Sequence, residues 1–262
     1  DKFFDSGIKT NFEVSLKNIN TVAKNNSTYK NSPQSELMSS YIYNASLPLF
    51  KKNSKTYNTL EPKLSLRFSP HEMKNNSDES RRIDLSNVFA SNRLSLGNSF
   101  EAGESITLGL NFKKEKITTN NKIDKIEEYI DLKLASVFRL NDEKNIPTNS
   151  TLNKKNSNIF GQFNFKPIKN ISLDYNFSLT DDLNTFEYNS LITKMEFGNF
   201  ITQFDYLEER GTVGITNIIQ NTTKYNFDDQ NSISFNTRRN RKLDLTEYYD
   251  LVYEYKNDCL VA

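Results

Sequence analysis

The sequence predicts an all-β protein, an antiparallel transmembrane β-barrel represented in part by about 12 strands. Three observations carry this. Only 35% of the 262 residues are hydrophobic and the mean hydropathy is -0.70, yet 19 Phe and 13 Tyr are spread along the chain. Disordered chains are polar but poor in aromatics, so evenly spaced aromatics in a polar chain suit a sheet with one wet face. Second, apolar residues recur with period two rather than 3.6. Third, no stretch of 18 apolar residues could form a transmembrane helix, whereas barrel strands need only about 9–11 residues with every second one apolar.

The expected strands lie at 7–22, 35–50, 58–69, 84–95, 101–115, 127–140, 157–167, 170–180, 185–197, 199–210, 214–225, 230–239 and 244–257. In the fifth, Ile106, Leu108, Leu110 and Phe112 alternate with Thr107, Gly109 and Asn111. In the sixth, Ile130, Leu132, Leu134, Phe138 and Leu140 keep the step, with Ser136 interrupting. The clearest alternation is in the eighth. There Ile171, Leu173, Tyr175, Phe177 and Leu179 form one face, expected toward lipid, and Ser172, Asp174, Asn176 and Ser178 the other. In the last, Tyr249, Leu251, Tyr253 and Tyr255 oppose Thr246, Tyr248, Asp250, Val252, Glu254 and Lys256. Lys166–Asn170 and Gly198-Asn199 read as short turns; 70–83, 115–126 and 141–156 read as long polar loops gathered at one external end or disordered there. That mixture is what barrels place at their two ends. No segment longer than a dozen residues holds a helical period.

Composition also excludes chemistry. Net charge is +1, so no strong field draws the chain to nucleic acid. His71 is the single histidine and Cys259 the single cysteine, which leaves no internal disulfide and little scope for a metal site or a nucleophile–histidine pair. The acidic pairs Asp78-Glu79, Asp181-Asp182, Glu208-Glu209 and Asp228-Asp229 fall at predicted loop tips. A glycosidase needs one carboxyl with a raised pKa, and solvated loop charge explains these pairs better than catalysis or divalent-cation binding. His71, after Pro70, reads as a surface side chain. Arg238-Arg239-Asn240-Arg241-Lys242 is the strongest basic cluster. A charged turn explains it; the functional alternative is a phosphate contact by Arg238, Arg239 and Arg241, through the planar guanidinium fork. The expectation is therefore a protein that is not an enzyme and needs no cofactor.

Three stretches carry a resemblance. The first is Thr59-Leu60-Glu61-Pro62-Lys63, followed by Ser69-Pro70. The second runs from Asp84 to Asn92-Arg93 and on to Phe100-Glu101-Ala102-Gly103-Glu104 and the strand Ser105–Phe112. The third is Leu245 to Cys259, with Tyr249, Tyr253 and Asp258. Their order and spacing resemble the barrel of the lipopolysaccharide-assembly outer-membrane family, LptD, over the whole chain.

The resemblance implies a barrel of the bacterial outer membrane that receives lipopolysaccharide from a periplasmic bridge of transport proteins. The barrel inserts the lipid into the outer leaflet through a seam between its first and last strands. Its implied partners are lipopolysaccharide, a plug lipoprotein in the lumen, the bridge proteins and outer-membrane lipid. It also implies that Cys259 forms a disulfide with a cysteine outside this chain. Set against the family pattern, residues 1–262 read as one barrel domain, incomplete at the N-terminus and at the C-terminus, lacking the seam strands and the periplasmic jellyroll. Two alternatives remain open on residues alone: another outer-membrane barrel, such as a porin or nutrient receptor, or a secreted carbohydrate-binding β-sheet protein.

Overall fold

The computed structural model describes residues 2–25, 31–120 and 123–256. Fourteen strands follow one another: β1 (Lys2–Phe3), β2 (Lys9–Thr21), β3 (Gln34–Ser46), β4 (Leu49–Lys52), β5 (Thr56–Ser69), β6 (Gly103–Asn120), β7 (Ile123–Arg139), β8 (Ile159–Ile168), β9 (Ile171–Leu179), β10 (Phe186–Phe197), β11 (Phe200–Glu209), β12 (Asn217–Asn226), β13 (Asn231–Asn240) and β14 (Leu245–Tyr255). They make one sheet in chain order, with β4 off the path and paired to β5. β3 and β4 share β5 as partner: Ser46 lies opposite Lys63, and Leu49 opposite Leu60. Leu47 N–H donates to Pro62 C=O at 3.1 Å, so the ladder crosses the break at a residue that needs no donor of its own. The longest connections follow odd-numbered strands, while 227–230 and 241–244 have equal length. Residues 70–102, 140–158, 180–185, 210–216 and 241–244 follow odd-numbered strands; 53–55, 169–170, 198–199 and 227–230 follow even-numbered ones.

The chain divides into two compact units, and β5, β6 and β7 run through both. In the first unit the strand faces are inverted relative to a soluble protein. Ser65, Arg67 and Ser69 of β5, and Ser105 and Thr107 of β6, are buried, while Leu66, Phe68, Ile106, Leu108 and Leu110 between them are exposed. Phe12, Val14 and Leu16 of β2 are exposed at 63%, 49% and 69%. What buries the polar face is the chain itself. Residues 70–102 and 141–158 fold over it, contributing Met73, Ile83, Val88, Leu94, Leu96, Ile146 and Leu152 to a small core with Met38, Ile42, Ala135 and Val137. Gly109 is needed there, because a Cβ at this position would meet the Phe89 ring at 2.5 Å.

This corrects two expectations. The strand expected at 84–95 is a succession of turns. Its side chains compete with a ladder for backbone groups. The Asp84 carboxylate accepts from Ser86 N–H at 2.8 Å, Asn87 Oδ1 from Asp84 N–H at 3.0 Å, and Asn92 Oδ1 from Leu96 N–H at 3.2 Å. The three long loops are also not one solvated cluster. Segments 70–83 and 141–156 are packed, with Asn76 2% and Ile146 0% exposed. Residues 115–126 are mostly strand, since β6 extends to Asn120 and β7 starts at Ile123. They lie at the far end of β6 from the one that segment 70–102 joins. The Lys116–Glu128 pair at 2.8 Å marks this extension.

In the second unit, β9 to β14 form an antiparallel run, with register shifts at Phe186/Tyr188 and Arg238/Arg239, that sorts side chains as expected for β9. Asp174, Ile192, Asp205, Gln220, Arg238 and Tyr248 form one row of one face. Leu173, Thr193, Phe204, Asn221, Thr237 and Tyr249 form a row of the other. On this second face Phe197, Phe200, Tyr225, Ile233 and Tyr253 align across five strands beside the short turns. Such an aromatic row is what barrels set at a membrane boundary. Phe177 folds its ring against Gly161, where no Cβ could fit, covering a strand position that has no side chain. The turn expected at 166–170 is shorter, because β8 continues through Pro167.

Candidate functional site

The polar face of the first unit is organised by one carboxylate among three guanidiniums. Glu101 lies just ahead of β6, in the segment that folds back over the sheet. Arg93 grips it with both arms: Nε donates to Oε2 at 2.7 Å and Nη2 to Oε1 at 2.5 Å. Arg139, at the end of β7, donates Nη1 to Oε1 at 2.5 Å and Nη2 to the Ala102 carbonyl. Arg67 of β5 keeps Nε 4.0 Å from Oε2 and donates to the Ser91 and Ala90 carbonyls at 2.5 and 2.6 Å. Arg93 is completed by Ser105 Oγ and Thr107 Oγ1, both at 3.0 Å. All four charged side chains are at most 4% exposed.

Burial by itself would raise the Glu101 pKa. The field of Arg93, its hydrogen bonds, and the fields of Arg67 and Arg139 outweigh that and bring it down to about 2. The carboxylate is therefore charged, and the excess cationic charge is met by carbonyl and hydroxyl oxygens. Removing one partner from such a cluster strands the others. Gly103 follows at φ 79°, a conformation that disfavours side chains, and a Cβ there would sit 3.2 Å from Arg139 Nη2. Lys17 of β2 adds a further tie, donating to the Leu96 and Ser99 carbonyls at 2.8 and 2.9 Å. The cluster thus pins segment 84–102 to three strands. At neutral pH its carboxylate carries no proton to donate.

Beside it, on the same face, is an open cavity of about 370 Å³ lined by Lys9, Asn11, Asn44, Ser46, Lys63 and Phe89. Pairing places Lys9, Ser46 and Lys63 in one row and Asn11, Asn44 and Ser65 in the next. Lys63 also pairs with Glu61 at 3.4 Å and faces the Phe89 ring at 5.9 Å.

The family described as LptD, LPS transport system D, matches residues 9–238. The chain belongs to the LptD family. It is a transport family, and its members' outer-membrane barrel is the architecture to which this two-faced sheet belongs. No curated protein matches the chain. Among solved structures, it is similar to two mutants of Rh. blastica porin. Each has 10% identity and a TM-score of 0.30, with 94% of this chain and 98% of the porin chain covered. At that TM-score the likeness carries no argument.

The LptD-like motifs fall at structural junctions. Leu60, Glu61 and Pro62 stand where β5 passes from β4 to β3. Asn92 turns the chain into Leu96, and Arg93, Glu101 and Gly103 meet in the buried cluster. Tyr249 and Tyr253 stand on the apolar face, 71% and 58% exposed, with Tyr249 stacked on Phe235. Asp258 and Cys259 lie outside the described residues. The basic cluster is divided by strand alternation and a bulge at Arg238/Arg239. Arg238 pairs with Glu247 at 2.8 Å and Arg239 with Asp244 at 2.5 Å, while Arg241 is exposed beyond the strand.

Asp182 and Asp228 hold their own turns. Asp182 accepts from Thr180 Oγ1 at 2.5 Å and Asp228 from Asn231 Nδ2 at 2.9 Å, and these hydrogen bonds lower both carboxyls below the usual range. That is the opposite of what a general acid requires. His71 faces Ser39 Oγ at 3.3 Å. Arg67, Arg139, Lys9 and the Phe89 cavity were not foreseen. The signal for the two arginines was available: each is a charge at an inward position of an alternating strand.

Proposed function

We propose that this chain is the membrane sheet of a transporter that inserts lipopolysaccharide into the outer leaflet of the bacterial outer membrane. The observation that carries it is a sheet with one face of exposed apolar side chains and one polar, partly covered face, in a chain of the LPS transport family. Lipid covers the apolar face, and the polar face borders the hydrated path of the sugar portion. The long connections face outward and the short ones the periplasm. The partners in this reading are lipopolysaccharide, a plug lipoprotein, the periplasmic bridge proteins and the surrounding lipid. Cys259 pairs with a cysteine elsewhere in the full protein, fixing a periplasmic domain against the sheet. The reading is tested by depleting the full-length protein and measuring lipopolysaccharide at the cell surface. Surface lipopolysaccharide should fall and return on complementation. An unchanged level would refute transport.

A further inference from the structure

We propose that the cavity lined by Lys9, Asn11, Asn44, Lys63 and Phe89 is a subsite for a phosphorylated saccharide, the headgroup portion of the transported lipid; this rests on the transport reading above. Its position comes from the register. Lys9 opens β2, Ser46 closes β3 and lies between Lys9 and Lys63, and the three share a row on the polar face. Two strand spacings separate the lysines, about 10 Å between backbones. Ammonium groups on flexible stems at that separation can close on one phosphate from two sides or hold two phosphates of one headgroup.

The other walls suit a sugar. Asn11 and Asn44 are directly opposite each other and bring amide donors and acceptors to the floor. Asn44 Oδ1 is buried without a hydrogen-bond partner, an unmet acceptor that a rotation of the amide can turn toward a hydroxyl. Phe89 supplies an apolar wall, and its ring is held in place over Gly109. Cationic, amide and aromatic groups therefore converge on one space of about 370 Å³, large enough for a monosaccharide phosphate. Segment 84–102 bounds the cavity, and the buried arginine cluster anchors that segment. Lys9 and Ser46 stand at the strand ends away from the connection 70–102, so cargo arriving from that end meets the cavity before it meets the packed segment.

The chain has no tryptophan, so Phe89→Trp gives a local reporter whose signal is read as a difference from the unsubstituted full-length protein. In detergent, its fluorescence is titrated with glucosamine 1-phosphate, glucosamine, inorganic phosphate and dispersed lipopolysaccharide. Saturable changes with lipopolysaccharide and glucosamine 1-phosphate are expected, with weaker ones for glucosamine and phosphate alone. Lys9→Gln with Lys63→Gln should weaken the phosphorylated sugar about tenfold, the loss expected for two charge-assisted contacts, while leaving glucosamine unchanged. A photoreactive side chain at Asn11 should crosslink lipopolysaccharide in cells and provides a second reading if Phe89→Trp disturbs its seat. Equal affinity of the double variant and the parent, together with no crosslink at Asn11, overturns the subsite and leaves the transport reading intact. Binding that is retained in a protein whose depletion leaves surface lipopolysaccharide unchanged refutes transport and leaves the subsite standing.

Discussion

Replacing Glu101 by Gln removes the single negative charge among Arg67, Arg93 and Arg139 while keeping size and some hydrogen bonding. The side chain is 3% exposed and Arg93 and Arg139 are 1% and 2% exposed, so water cannot stand in for the lost charge. Truncating one partner of a buried ion pair costs about 3–5 kcal/mol. The pKa displacement gives a consistent figure: a fall from 4.5 to about 2 corresponds, at 1.36 kcal/mol per unit, to about 3 kcal/mol favouring the charged form in the folded protein. Because the folded-state pKa lies below the unfolded one, this contribution is complete above pH about 4.5 and is lost as the pH falls toward about 2. The assay is thermal unfolding of full-length protein in detergent, followed by loss of heat-resistant mobility on electrophoresis, at pH 7 and pH 3. Glu101→Gln should lower the midpoint at pH 7, expose segment 84–102 to trypsin, and show a smaller deficit at pH 3. A midpoint equal to the parent's at pH 7, with segment 84–102 still protected, would refute the view that this carboxylate anchors the segment.

On the sheet faces, Leu173→Arg places a charge on the apolar side and should cost about 2–4 kcal/mol at mid-membrane, whereas Asn176→Arg should assemble normally; equal yields of folded protein from both would sink the facing assigned to β9. Gly161→Val pushes an isopropyl group into the space held by the Phe177 ring and should destabilise by about 1–3 kcal/mol, while Gly161→Val with Phe177→Ala should recover much of that loss, measured by the same unfolding shift. For Cys259, non-reducing electrophoresis of the full protein should show a mobility shift that Cys259→Ser abolishes; a shift surviving the substitution would remove the disulfide role.

Strand positions were legible where side-chain chemistry did not compete with the ladder. Ile171 to Leu179 alternates without a break and is a strand from first to last residue. Residues 84–95 contain Leu85, Val88, Phe89 and Leu94, apolar residues that hold no strict period of two, and Asp84, Asn87 and Asn92 carry short polar side chains that bond the local backbone. The pattern of apolar residues is blind to that competition. The same blindness hid the packed connections. Their charged surface residues, such as Glu79 and Arg81 paired at 3.0 Å, dominate the composition, while a few residues such as Ile146 and Leu152 do the packing. Motif order grouped Arg93 with Glu101 in one stretch. It could not bring in Arg67 and Arg139, because those are far along the chain and reach the carboxylate only through strand pairing.

The distribution of exposure also decides between membrane and secreted readings of the same β pattern. A soluble carbohydrate-binding sheet would bury Phe12, Leu16, Tyr249 and Leu251 and solvate Ser65, Arg67, Ser105 and Thr107. Here the first four are 63–71% exposed and the last four are at most 6% exposed. Each large side chain left in water forgoes about 1.5–3 kcal/mol of burial, and the exposed apolar residues extend across β2, β3, β5, β6 and β11 to β14. A sheet that gave up so much in water would aggregate along that face. In lipid the same residues are at no disadvantage, and low mean hydropathy follows directly, because only one face of each strand is apolar. The buried arginines then have a physical setting: they lie on the face turned from lipid, where carbonyls of segment 84–102 and the Ser105 and Thr107 hydroxyls of β6 replace water around them.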